Sequence, residues 1–212
     1  MDDKKLEARK KKAITNYEKS TPLPVEDDCV EKGQQLRNIV WDEDKQEDDI
    51  LECLNSLHLP DGYKLHVKYP EKKGYGDNST LYVATPSGET CDVFETIIVD
   101  DTPMGAMEVY LLYEMWHYLP LFWHANYASR TYIYTQQELM CVRNFHGNPW
   151  FQDVSPVVTQ KDGKYYVSCC YWSPFGGLIR ELVEIEIKEN KVVNILEANY
   201  TTLYDYDCGI WF

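Results

Sequence analysis

From Pro156 onward, apolar and polar residues alternate with the period of two that marks strands, over residues 157–160, 164–172, 178–188 and 191 to about 204. Asp162-Gly163 and Glu189-Asn190 separate these runs as two-residue hairpin turns, and Ser173-Pro174-Phe175-Gly176-Gly177 as a wider connection. In the third run Ile179, Val183, Ile185 and Ile187 face one way, and Glu184, Glu186 and Lys188 the other. That pattern predicts an antiparallel β-meander with one sheet face buried and the other wet.

The pattern changes upstream. Asp101-Thr102-Pro103 is a helix start, with Thr102 as N-cap and Pro103 at the first helical position, where its missing N–H costs nothing. Apolar residues at helical spacing (Met107, Leu111, Leu112, Met115, Tyr118) predict a core helix over about 103–118, ended by Pro120. Residues 63–69, 80–85 and 92–99 read as neighbouring antiparallel strands, as does a short run at 132–134. Thr135 to Glu138 matches the capping box, which predicts a helix to about Phe145 with Gly147 just past its end. Toward the N-terminus, residues 3–18 predict an exposed helix whose apolar stripe is only Leu6, Ala13, Ile14 and Tyr17. A second helix is expected from Asp42 or Asp44 to about His58, burying Ile50, Leu51, Leu54 and Leu57 before Pro60-Asp61-Gly62 stops it.

Together these elements predict an α+β fold. An antiparallel sheet of roughly six or seven strands carries the 103–118 helix on one face and the N-terminal helices at an edge. The 212 residues fit a single domain, with 1–59 as a helical N-terminal subregion. No repeat divides the chain.

Composition narrows the function classes. Hydrophobic residues at 44% and charged residues at 26% are enough to build a core, which sets wholesale disorder aside. The opening residues 1–12 are charged throughout and lack a secretory signal's apolar stretch, and no run of about 18 apolar residues spans a bilayer. Seven cysteines, odd in number, scattered and without a C-x-x-C pair, fit reduced thiols better than a disulfide framework or zinc site. A soluble, cytoplasmic protein is the expectation. The net charge of −14 would repel phosphate backbones and anionic membranes and favour a basic protein partner. This acidity lies beyond the first helix, since residues 1–19 hold seven basic groups against four acids.

Candidate chemistry is sparse. No P-loop, H-E-x-x-H or G-x-S-x-G occurs, and Gly74-Tyr75-Gly76 is too short for a dinucleotide fingerprint, so no cofactor is expected. Glu114 and His117 stand three apart on the core helix, the spacing of some metal-carboxylate ligands, but no second pair completes a site. Any of the thiols could pair with one of His58, His66, His117, His124 or His146 as nucleophile and base, yet scattered positions place none of them together. Cys169 and Cys170 are adjacent in a strand and should point to opposite faces.

Two functional readings remain. In the first, Trp41 bordered by Asp42, Glu43, Asp44, Glu47 and Asp48 forms an aromatic anchor among carboxylates that meets a basic partner, as in an immunity-type or toxin-inhibiting protein. In the alternative, Tyr113, Trp116, His117 and Phe175 bound the pocket of a small-molecule-binding or hydrolytic enzyme. A solvated helix start and ordinary core packing account for the same two patterns. The balance of residues favours a binding protein over an enzyme.

Overall fold

The structure is a computed structural model and describes residues 3–25, 31–36, 49–68, 80–118 and 130–206. The chain begins with helix α1 (Asp3–Glu18), strand β1 (Pro22–Leu23), a helical stretch α2 at 31–36 and a single turn α3 (Asp49–Glu52). Short strands follow: β2 (Leu57–His58), β3 (Lys64–Lys68), β4 (Thr80–Ala84) and β5 (Thr90–Cys91). Then come the one-turn helix α4 (Val93–Thr96), β6 (Ile98–Val99) and the long helix α5 (Pro103–Tyr118). After β7 (Thr131–Ile133) and α6 (Gln136–Met140), four strands complete the fold: β8 (Val157–Lys161), β9 (Lys164–Ser173), β10 (Gly177–Lys188) and β11 (Lys191–Tyr204).

Among the described residues the main sheet is antiparallel and runs β1-β8-β9-β10-β11, with β7 also paired to β9. The molecule is therefore α+β with a C-terminal meander, as its alternating sequence predicts. Both tight hairpins have the backbone their twist demands: Asp162-Gly163 at φ 53° and 72°, and Glu189-Asn190 at φ 51° and 58°. Positive φ at both central residues is the hairpin turn that matches the right-handed twist of the strands.

Helix α5 starts as its sequence dictates. The Thr102 hydroxyl accepts from the Gly105 N–H at 2.9 Å. Gly105 is required here, because a Cβ at this position would lie 2.0 Å from the Asp100 carbonyl oxygen. Met107, Val109, Tyr110 and Leu112 of α5 are fully buried and meet Val158, Val167, Cys169, Val183, Ile185 and Ile187 of the sheet. Burying each such large side chain stabilises the fold by roughly 1.5–3 kcal/mol. Leu36 of α2 and Ile50, Leu54 and Leu57 around α3 join the same core. A buried ion pair fastens α2 to α5: Lys32 Nζ donates to Glu108 Oε1 at 2.6 Å, while Glu108 Oε2 accepts from the Ser56 N–H at 2.6 Å.

That last bond corrects one expectation. The helix expected to reach His58 ends at Glu52, and Leu57–His58 is a strand paired with Val99 and Ile98. Glu108 captures the Ser56 N–H and the Ser56 carbonyl accepts from Asp100, so the backbone leaves the helix for tertiary partners. The part of that expectation covering residues 42–48 lies outside the described residues.

The strand expected over 92–99 is also corrected. Asp92 Oδ1 accepts from the Phe94 and Glu95 N–H groups and caps α4, leaving only Ile98–Val99 extended. Around α4 the buried positions are Val93, Thr96 and Ile97, a helical spacing inside a β-prone composition, before the buried Val99 of β6. The capping box at Thr135–Glu138 is present, but α6 closes at Met140 rather than near Phe145. Leu139 is its buried residue, so no stripe exists to extend it.

The expectation of a wet sheet face fails for a similar reason. Leu182 and Glu184 on that face are buried, because α1 lies across it rather than at an edge of the sheet. Ala13, with Ile14 and Tyr17 beside it, packs on Tyr166, Leu182 and Ala198. Asn16, which the apolar stripe omits, is buried and donates to the Tyr166 hydroxyl at 2.9 Å.

Candidate functional site

The expected partner-binding residues Trp41, Asp42, Glu43, Asp44, Glu47 and Asp48 lie outside the described residues, as do Trp123, His124 and Ile210-Trp211-Phe212. Of the alternative pocket, Tyr113 and Trp116 sit together on α5 with stacked ring centroids 6.4 Å apart. His117 belongs to α5, but its side chain is outside the description. Phe175 lies in the β9–β10 turn, where its N–H donates to the Ser173 hydroxyl at 3.3 Å.

What the fold assembles around Tyr113 is a set of carboxylates. Helix α5 turns Tyr110 and Glu114 toward the sheet, and β10 presents Glu181 to them from a position otherwise filled by Val183 and Ile185. The Tyr110 hydroxyl donates to Glu181 Oε1. One Arg130 nitrogen stands 3.5 Å from Glu181 Oε2 and 3.8 Å from Glu114 Oε2. Neither of these two carboxylate oxygens has a hydrogen-bond partner among the described residues. A third carboxylate, Glu197 of β11, accepts from the Tyr113 hydroxyl at 3.0 Å and the Tyr200 hydroxyl at 2.5 Å.

Burial and charge act together on this group. The Glu114 and Glu181 side chains are only 5% and 1% exposed. Loss of hydration holds the Glu114 carboxyl well above the usual range, and the neighbouring Glu181 charge adds to this against the pull of Arg130. Burial likewise pushes Glu181 up to about 7, although the Tyr110 hydrogen bond and Arg130 oppose it. At neutral pH the pair therefore holds a proton that isolated carboxylates would have released. Loss of hydration, and after it the acceptor Glu197, raises the Tyr113 and Tyr200 hydroxyls, which stay protonated as donors.

An aromatic rim surrounds the carboxylates. Arg130 lies 4.5 Å above the Tyr171 ring centroid and 5.9 Å from that of Tyr200. Phe94 meets Tyr113 and Trp116 edge-on at 5.8 and 6.3 Å. Trp116 is 37% exposed, Tyr200 43% and the Arg130 side chain 30%, so the rim faces solvent while Glu114 and Glu181 beneath it do not.

Arg130, Glu181 and Glu197 are absent from the sequence-based candidates. Glu181 carries a signal: it occupies the apolar phase of β10 between Ile179 and Val183. Arg130 carries none, because only the tertiary fold brings it to α5. The thiols lie elsewhere in character. Cys169 is buried under α5, and Cys170 points to the opposite face, its thiol pushed up to about 11 by burial. Among the described residues no group of three or more His, Cys, Asp and Glu side chains is arranged to hold a metal ion. Nor, among them, is any helix long and apolar enough to cross a membrane.

Fold and site together define an α+β protein with an acid-backed aromatic face on its core helix. No protein-family model matches the chain, and no curated protein or solved structure is detectably similar to it.

Proposed function

We propose that the protein is an acidic binding module for a basic protein partner, of the immunity or inhibitor type, working in a reducing cytoplasm. The observation that carries this reading is the convergence of Glu114, Glu181 and Glu197 beneath the exposed rings of Trp116 and Tyr200. Exposed ring faces suit a lysine or arginine side chain through the ring quadrupole, the same attraction that holds Arg130 over Tyr171 and Tyr200. The overall charge of −14 supports the same partner, with Trp41 and the acids at 42–48 as a second, steering element.

The test is kinetic. Partner captured on the wild-type chain is identified, purified and bound to wild-type and variant proteins at low and high salt. Trp116→Ala is expected to speed dissociation, and neutralising Asp42, Glu43 and Asp44 to slow association, with wild-type association falling about tenfold or more as salt rises. An association rate indifferent to salt would remove the electrostatic basis of the reading.

The enzymatic alternative draws on one observation, the proton-holding Glu114–Glu181 pair beside Tyr113 and Trp116, an arrangement suited to general acid catalysis. Glu181→Gln abolishing turnover of any hydrolytic substrate would favour it over binding.

A further inference from the structure

The opposite face of the sheet points to a second binding surface. Glu184, paired with Lys164 of β9 at 2.5 Å, and Tyr166 are buried there beside Leu182 and Ala198, and the helix lying over them is the most basic element of an acidic chain. Helix α1 carries Lys4, Lys5, Arg9, Lys10, Lys11 and Lys12 against Asp3, Glu7 and Glu18. Its own contribution to the core is small, since Ala13 and Asn16 are its buried residues. The rest of the hold combines the partly buried Ile14 and Tyr17 with polar contacts: Arg9 reaches Glu184 Oε1 at 3.4 Å, Lys12 reaches Asp162 at 3.9 Å, and Asn16 donates to Tyr166.

A helix with so thin an apolar stripe is marginal on its own, because helical stability in proteins comes mainly from packing an amphipathic face. The chain behind α1 is separately anchored, since β1 pairs with β8 through Pro22↔Thr159 and Leu23↔Val158. Residues 19–21 can therefore act as a hinge, letting α1 leave the sheet while β1 stays in it.

We propose that the face formed by Tyr166, Leu182, Glu184 and Ala198 is a docking surface for a cationic amphipathic helix of the basic partner, and that α1 is its resident occupant in cis. The occupant shows the chemistry the face accepts: a cation, a small residue four positions on, and a polar or aromatic residue one further turn along, as in Arg9, Ala13, Asn16 and Tyr17. Tethering gives α1 a high effective concentration, so an incoming helix must outcompete it. The surface is thereby closed to weak cationic sequences and open to strong ones.

The inference takes from the proposed function only the partner's cationic character, and it can be tested without that partner. The probe is a fluorescent synthetic peptide of residues 3–18, read by anisotropy against full-length proteins. Ala13→Glu forces a carboxylate into a fully buried position against Tyr166, Leu182 and Ala198 and should free α1, so this variant is expected to bind the peptide about tenfold or more tightly than wild type does. A peptide carrying Arg9→Glu and Ala13→Glu should not bind. The milder Arg9→Ala Lys12→Ala variant alters exposed ends of the contact and is expected to accelerate amide exchange over residues 3–18 while leaving β8–β10 protected. Two results would overturn the proposal: a freed α1 with no gain in peptide binding, or exchange in which α1 and the sheet open together, making α1 an integral layer. Either result strikes the α1 face alone, since the α5 face and the acidic tract play no part in the assay.

Discussion

Glu114 and Glu181 show how one side chain in the wrong phase of a strand can set a property of the whole molecule. Each is a carboxyl whose pKa in the folded state lies above its unfolded value. Such a group contributes stability in acid, where both states are protonated or the native state binds the extra proton, and that stability is lost as pH rises through the folded value. For Glu181 the loss runs from the ordinary carboxylate range up to about 7. Glu181→Gln is therefore expected to match wild type near pH 5 and to exceed it near pH 8, by on the order of 2 kcal/mol. Urea midpoints at the two pH values check this, and a variant weaker than wild type at pH 8 would mean that the ionised carboxylate is the stabilising form. The residue was legible as an interruption of the β10 alternation. Its consequence was not, because burial, Tyr110 and Arg130 are supplied by three other elements.

Elements were most legible where local chemistry leaves little choice. Thr102-Pro103 started α5, and Thr135 with Glu138 started α6, because a cap satisfies backbone N–H groups whatever the surroundings. Residues 92–99 misled because Val93, Ile97 and Val99 keep a strand's alternation while Val93, Thr96 and Ile97 keep a helix's spacing, and one carboxylate, Asp92, decided between them. Two predictions belong to this scale. Glu189 holds φ at 51° without a glycine's freedom, so Glu189→Asn with Asn190→Gly should stabilise the β10–β11 hairpin by about 1 kcal/mol, measured by thermal denaturation. Gly105→Ala should cost about 3 kcal/mol, because the added methyl meets backbone rather than a flexible side chain.

At the scale of the molecule, the sequence foretold the meander and the core helix but not that a charged helix would close the second face. Local patterning scores Glu184 and Glu186 as solvent-facing; only the assembled sheet shows Lys164, reaching Glu184 at 2.5 Å and Glu186 at 3.3 Å, and Arg9 neutralising that face enough for α1 to cover it. With a net charge of −14 on the chain, vesicles of anionic lipid should fail to retain the protein at about 0.15 M salt, where charges act over only ~8 Å. Sedimentation with such vesicles checks this, and retention would show α1 acting independently of the acidic body. The resulting helix–sheet–helix layering gives Cys169 and Cys170 a use that neither has as chemistry. They stand back to back, one beneath α5 and the other within the small cluster of Ile133, Trp172 and Leu178. A thiol-trapping reagent would thus reach Cys169 only when the α5 side opens and Cys170 only when the cluster closed by Leu139 of α6 opens, and two adjacent residues would time these two openings as separate clocks.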